Sequence, residues 1–185
     1  MVCGNGLSTA IQSIISRRGG EGNVQEINKV FAQGIRIATL FAIAGILLTW
    51  FIAPICLKPF VKPENFDQVI TFLRVRVWGL PFLYFFQIGN AFLIGTLNSK
   101  YMMIGTIGEA LLNIILDYAF IYGAFAFPQL GFNGAAVASV ISEIAGVAIV
   151  YTVIFKQGLK KKFNLFTDLG YHKQTSKAIL QISAP

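Results

Sequence analysis

Charge is scarce in this sequence. Asp, Glu, Lys and Arg make up 12% of its 185 residues, while 55% are hydrophobic. An ordinary soluble domain carries about 25% charged residues. Too few polar side chains remain to coat a water-facing surface, which excludes a soluble globular fold. Disorder is excluded too, because it needs low hydrophobicity and high charge. Histidine and cysteine are also short: His172, Cys3 and Cys56 are all there is. They are too few and too far apart for a zinc site. In apolar contexts the two cysteines read as small buried hydrophobes, not as a disulfide. No nucleophile–base pair or metal constellation emerges, so an enzyme is not expected.

What is present is apolar runs. A helix needs about 20 mostly apolar residues to cross hydrocarbon. Four stretches meet this: 31–57, 77–97 (reaching back to about 68), 101–127 and 132–155. The connectors are short and carry turn residues, among them Pro59, Pro63, Asn98, Pro128 and Gly131. Residues 1–16 read as the end of a helix too short to span, and 178–185 as the start of another. The fold expected is an all-α polytopic membrane protein, with four complete transmembrane helices and partial helices at both ends. Both ends fall inside apolar runs, which predicts a fragment of a longer protein. The organisation expected is a transmembrane bundle over 1–155, a loop over 156–177, and the start of a further span over 178–185.

The net charge of +7 is informative through its placement. The face holding loops 17–30, 98–100 and 156–177 carries eleven basic residues, counting Arg36. The other face carries four: Lys58, Lys62, Arg74 and Arg76. Lys and Arg concentrate on the cytoplasmic side, so those three loops are expected there. Lys160-Lys161-Lys162 then reads as a juxtamembrane signal that can touch anionic lipid. No soluble basic fold surrounds it, so nucleic acid is not an expected partner.

Ionisable side chains inside a bilayer are costly and mark function by default. Glu109, Asp117 and Glu143 lie well inside spans. Glu109, Asn113 and Asp117 follow one another at i, i+4 and i+8, which places them on one slowly drifting stripe of a helix. The stripe cannot face lipid. Asp117 reads as a cation or proton site, exchanging a proton for a cationic ligand. Asn113 reads as its neighbour or as a helix–helix hydrogen-bond anchor. Glu109, nearer the cytoplasmic end, is either a snorkelling side chain or the mouth of a pathway. Glu143 is either a second proton-active group or the partner of a basic residue on another helix. Gly134, Ala138, Ser142 and Gly146 recur every four residues as a close-packing ridge. Beside it, Ser139 either faces the cavity or bonds its own helix. Pro81 bends the 77–97 span, and Gln87 and Asn90 behind it are candidate cavity-lining residues. Most of the aromatic run Phe82, Tyr84, Phe85 and Phe86 reads as packing or lipid-facing.

Four strings together resemble the multidrug and toxic compound extrusion (MATE) transporters. Residues 12–23 (QSIISRRGGEGN) resemble the end of their second helix and the loop after it. Residues 72–81 (FLRVRVWGLP) resemble the fourth helix. Residues 113–118 (NIILDY) resemble the fifth, and residues 130–139 (LGFNGAAVAS) the opening of the sixth. The resemblance covers essentially the whole chain. It implies a twelve-helix antiporter of two six-helix lobes, of which this chain holds part of the N-lobe, the inter-lobe loop and the start of helix seven. Asn113 and Asp117 match polar positions of the N-lobe cation site, and Ser139 stands where many relatives have Thr. Gln87 lies near a position that is often Asn. The first helix, which supplies a carboxylate in the family, and the C-lobe have no counterpart in this sequence.

The function this implies is export of cationic, amphiphilic drugs or toxic compounds in exchange for H+ or Na+, across a bacterial inner membrane. No cofactor is expected beyond that coupling ion, and no metal beyond Na+ at Asp117 and Asn113. The expected partners are the small-molecule substrate, the lipid bilayer and the remaining helices of the parent protein. A lipid-linked oligosaccharide flippase of the same superfamily is the alternative. A non-transporting membrane scaffold is the alternative from another class.

Overall fold

The computed structural model describes residues 2–167 and 170–183, with the side chains of residues 2 and 3 excepted. Cys3, read above as buried, therefore lies outside the described side chains. The described residues form helices and connecting turns, with no strand among them. The helices are α1 (Val2–Gly20), α2 (Val24–Phe51), α3 (Ala53–Leu57), α4 (Pro63–Arg76), α5 (Leu80–Gly95), α6 (Ser99–Tyr122), α7 (Phe132–Lys156), α8 (Leu159–Lys162) and α9 (Lys173–Ser183). Two 3-10 turns, Val77–Gly79 and Ala124–Ala126, complete the path. α2, the α4–α5 unit, α6 and α7 are each long and apolar enough to cross a membrane.

Local chemistry sets the boundaries, and it moves several of those expected. The 1–16 segment continues as helix through Arg17, Arg18, Gly19 and Gly20. Gly22, at φ 70°, then turns the chain. The Asn23 side chain accepts from the Glu26 N–H at 3.1 Å and starts α2. The 17–30 stretch is thus mostly helix around a three-residue turn. α2 ends at Phe51, short of 57, because Pro54 supplies no N–H to continue the ladder. Pro63 opens α4 in the first turn, where a missing N–H costs nothing. Gly123, at φ 71°, stops α6 at Tyr122, short of 127. Within 156–177, α8 and the first turns of α9 replace an unbroken loop.

The apolar core is built where α1, α2, α5 and α7 meet. Leu7, Ile11 and Ile15 pack with Phe31, Ile88, Phe92, Val150 and Ile154, all almost fully buried. Leu159, Phe163, Leu165 and Ile179 close the same core from the segment after α7. Outside it, rows of large apolar side chains stay exposed: Leu40, Ile43 and Leu47 on α2, and Ile104, Ile107, Leu111 and Ile114 on α6. Such rows suit a lipid or helix environment and not water. Cys56 is exposed in α3, contrary to its reading as a buried hydrophobe, because this short helix buries no residue.

Candidate functional site

α6 and α7 run antiparallel and pack tightly, and the small-residue ridge is what lets them do so. Gly134, Ala138, Ser142 and Gly146 are all buried. A Cβ on Gly134 would stand 2.6 Å from the Phe120 carbonyl oxygen, and one on Gly146 would stand 3.0 Å from Glu109 Cγ. Between these contacts the Asn113 amide donates to the Ser142 hydroxyl at 2.9 Å. That hydroxyl in turn donates to the Ala138 carbonyl of its own helix. Asn113 is thereby fixed, with its Oδ1 left as an acceptor. Asp117, one turn further along α6, comes level with Ala138. Its Oδ1 atom is buried and has no hydrogen-bond donor among the described residues. Glu109 and Asn113 thus face α7, and the buried Asp117 Oδ1 lies further along the same stripe of α6. The end of α6 at Tyr122 places Asp117 nearer the C-terminal end of its span than the 101–127 reading implied.

A second polar feature lies on an adjoining flank of α7. Arg76, the last residue of α4, donates from Nη1 to Glu143 Oε2 at 3.0 Å and from Nη2 to Glu143 Oε1 at 2.6 Å. The Glu143 residue is 4% exposed. The planar guanidinium and the carboxylate meet fork to fork, the strong bidentate form of such a pair. Gly79 makes room for it: a Cβ there would collide with Glu143 Oε2 and lie 2.6 Å from Arg76 Nη1. Of the two readings offered for Glu143, the ion pair with a neighbouring helix is the one found. Arg76, counted above with the loops of the less basic face, is instead turned inward and half-buried against Glu143. Only Lys58, Lys62 and Arg74 remain as basic residues of that face.

The other candidates go elsewhere. Gln87 faces α1, not Asp117. Its Nε2 reaches Asn5 Oδ1 at 3.4 Å, its backbone carbonyl accepts from Ser8 at 3.3 Å, and its Oε1 is buried without a donor. Gln87 helps line a cavity of about 210 Å³ between α1, α2, α4 and α5, together with Thr49, Arg76 and Tyr84. Asn90 Oδ1 is likewise buried and without a donor. Pro81 stands in the first turn of α5 after the Val77–Gly79 3-10 turn. The joint in this span is that tightened turn, and the proline follows it. Ser139 is half-buried, and the hydroxyl that meets Asn113 is that of Ser142.

Arg76, Ser142 and Gly79 were not singled out as site residues by the sequence. For Arg76 the signal existed: a charge within a span demands a partner, and Glu143 was already read as a possible partner for a basic residue on another helix. The fully apolar part of the span begins at 77, and Arg76, just before it, was counted with the loop charges.

The MatE family model matches residues 1–119. The chain is 27% identical over 165 residues to the probable multidrug resistance protein NorM of Rhizobium meliloti (strain 1021), covering 89% of this chain and 35% of that protein. It superposes on a solved inward-facing multidrug resistance MATE family transporter of the MOP superfamily with a TM-score of 0.86 at 22% identity. That match covers 98% of this chain and 41% of the other. An outward-facing structure of such a transporter gives 0.85 at 22% identity, over 98% of this chain and 40% of the other. The chain thus spans well under half the length of these relatives. With the family model matched over most of the chain, and the helices arranged as in those transporters, the chain belongs to the MatE family of multidrug and toxic compound extrusion transporters.

Proposed function

We propose that the protein carrying this chain is a secondary antiporter, which exports cationic, amphiphilic compounds in exchange for H+ or Na+. Asp117 and Asn113 form the coupling-ion site of its N-lobe. The observation that carries this reading is the Asp117 Oδ1 atom, buried without a donor on the α6 face packed against α7. A carboxylate oxygen in such surroundings is costly unless a proton or a cation satisfies it. Asn113, held by Ser142, offers a neutral oxygen one turn away. A carboxylate with a nearby carboxamide oxygen suits a hard cation, and the carboxylate alone suits a proton. The printed name of the Rhizobium relative, a multidrug resistance protein, supports the substrate class.

In the same reading the bundle up to α7 is part of the N-lobe, residues 156–177 connect the lobes on the cytoplasmic side, and α9 leads into the next lobe. The surplus of Lys and Arg on that side supports the orientation. The bacterial relative supports an inner-membrane location. The test uses the protein at its natural length. Asp117→Asn should reduce ion-driven drug efflux to background while the protein still inserts at wild-type levels. Efflux at the wild-type rate in this variant would remove Asp117 from the coupling step.

A further inference from the structure

The Arg76–Glu143 pair is unused by the function proposed above, yet it occupies an expensive place. A lone charge left in this interior by removing one partner is strongly destabilising. The pair therefore ties two elements together tightly. One is the end of α4, at the 3-10 turn that joins α4 to α5. The other is the middle of α7. Gly79, the last residue of that turn, lies directly against the paired side chains.

Glu143 follows Ser142 in the chain. On a helix, consecutive residues point about 100° apart. α7 is thus gripped on two flanks at the same level. Ser142 meets Asn113 on α6, and Glu143 meets Arg76 on α4. A rotation or slide of α7 that breaks one contact moves the other. Ser142 is also fully buried, so its hydroxyl has no water to turn to. Glu109, on α6 and packed on Gly146 one turn along from Glu143, lies within electrostatic range of Arg76 but makes no hydrogen bond to it among the described residues.

We propose that Arg76 and Glu143 are positioning residues for the Asn113–Asp117 site: their ion pair fixes the rotation of α7, and so places the Ser142 hydroxyl that orients Asn113. This rests on the reading of Asp117 and Asn113 as the coupling-ion site. The pair acts on that site through α7, and neither of its members touches the ion.

The experiment is a coupling cycle on the natural-length protein in liposomes, read as the ion concentration that gives half-maximal drug efflux. The variants are Arg76→Gln with Glu143→Gln, Ser142→Ala, and the combination of the two. The double glutamine leaves no charge stranded. Groups that orient a ligand from behind typically matter by about ten-fold or more in affinity, and a shift of that size is expected from the glutamine pair and from Ser142→Ala alike. Because both act through the same hydroxyl, the combination should shift no further than the larger single effect. Shifts that multiply in the combination, or an ion dependence within two-fold of wild type in the glutamine pair, would overturn the proposal. If the glutamine pair does not fold, Arg76→Lys, which keeps the charge and loses the fork, takes its place in the same cycle. Asp117→Asn is run beside them. Unchanged efflux in that variant overturns the site itself, whereas its loss together with an unmoved glutamine pair overturns the positioning role alone.

Discussion

Gly134 stands so close to α6 that a Cβ would meet backbone, not the yielding end of a side chain: the Phe120 carbonyl oxygen at 2.6 Å and its carbon at 2.7 Å. Gly134→Ala must therefore push the two helices apart where Asp117 faces α7. Overpacking of this kind costs about 1–3 kcal/mol. The expected outcome is that much lower stability in denaturant titration in micelles; an unchanged midpoint would show that the helices separate freely. At this scale the sequence was partly legible. A four-residue repeat of small side chains announces close packing, and a stripe of Glu109, Asn113 and Asp117 announces an inward face, because both follow from the turn of a helix alone. That Asn113 chooses Ser142 and not Ser139 depends on the relative rotation of two helices, which no single span encodes. Arg76 was hidden for a plainer reason, since a charge at the edge of an apolar window looks like a loop charge.

The segment between α7 and α9 looks like a connector by composition, with Gly158, three lysines and Asn164 in a short space. Its fixation comes from α2. Asn28 accepts from the Phe166 N–H at 3.1 Å and donates to Thr167 at 3.0 Å. Gln33 donates to the Gly170 carbonyl at 2.6 Å and accepts from Ser176 at 3.0 Å. Both amides are nearly or fully buried. They form a clasp that holds the strap after α7 against the bundle. In the sequence they were two polar residues among many, because bonds across about 140 positions leave no periodic trace. Gln33→Ala takes its acceptor from the buried Ser176 hydroxyl, which costs about 1–3 kcal/mol. Amide hydrogen exchange over residues 164–176 should rise in this variant while α5 and α7 keep their protection. Equal exchange in variant and wild type would show that the apolar anchors Leu165 and Ile179 suffice.

For the molecule as a whole, orientation is the property that basic residues decide. With Arg76 turned inward to Glu143, the asymmetry between the two faces is larger than the sequence count suggested. In an otherwise cysteine-free protein, a membrane-impermeant maleimide should label Cys56 from outside intact cells. A Lys161→Cys variant should be labelled only after permeabilisation. The reverse pattern would invert the topology. The element order and four spans were legible at this scale because hydrophobic length is a local property. The packing of α9 against α1 and α2 was not. α1 meets α9 so closely that a Cβ on Gly6 would stand 2.6 Å from the Ser183 carbonyl oxygen. These contacts join two helices that lie about 160 residues apart in the chain. A ribosome adds about 5–20 residues each second, so α1 waits roughly 10–35 s for this partner. During that interval its facing surface needs temporary cover from lipid or the insertion machinery, and this seam closes only after α2 to α7 have been made.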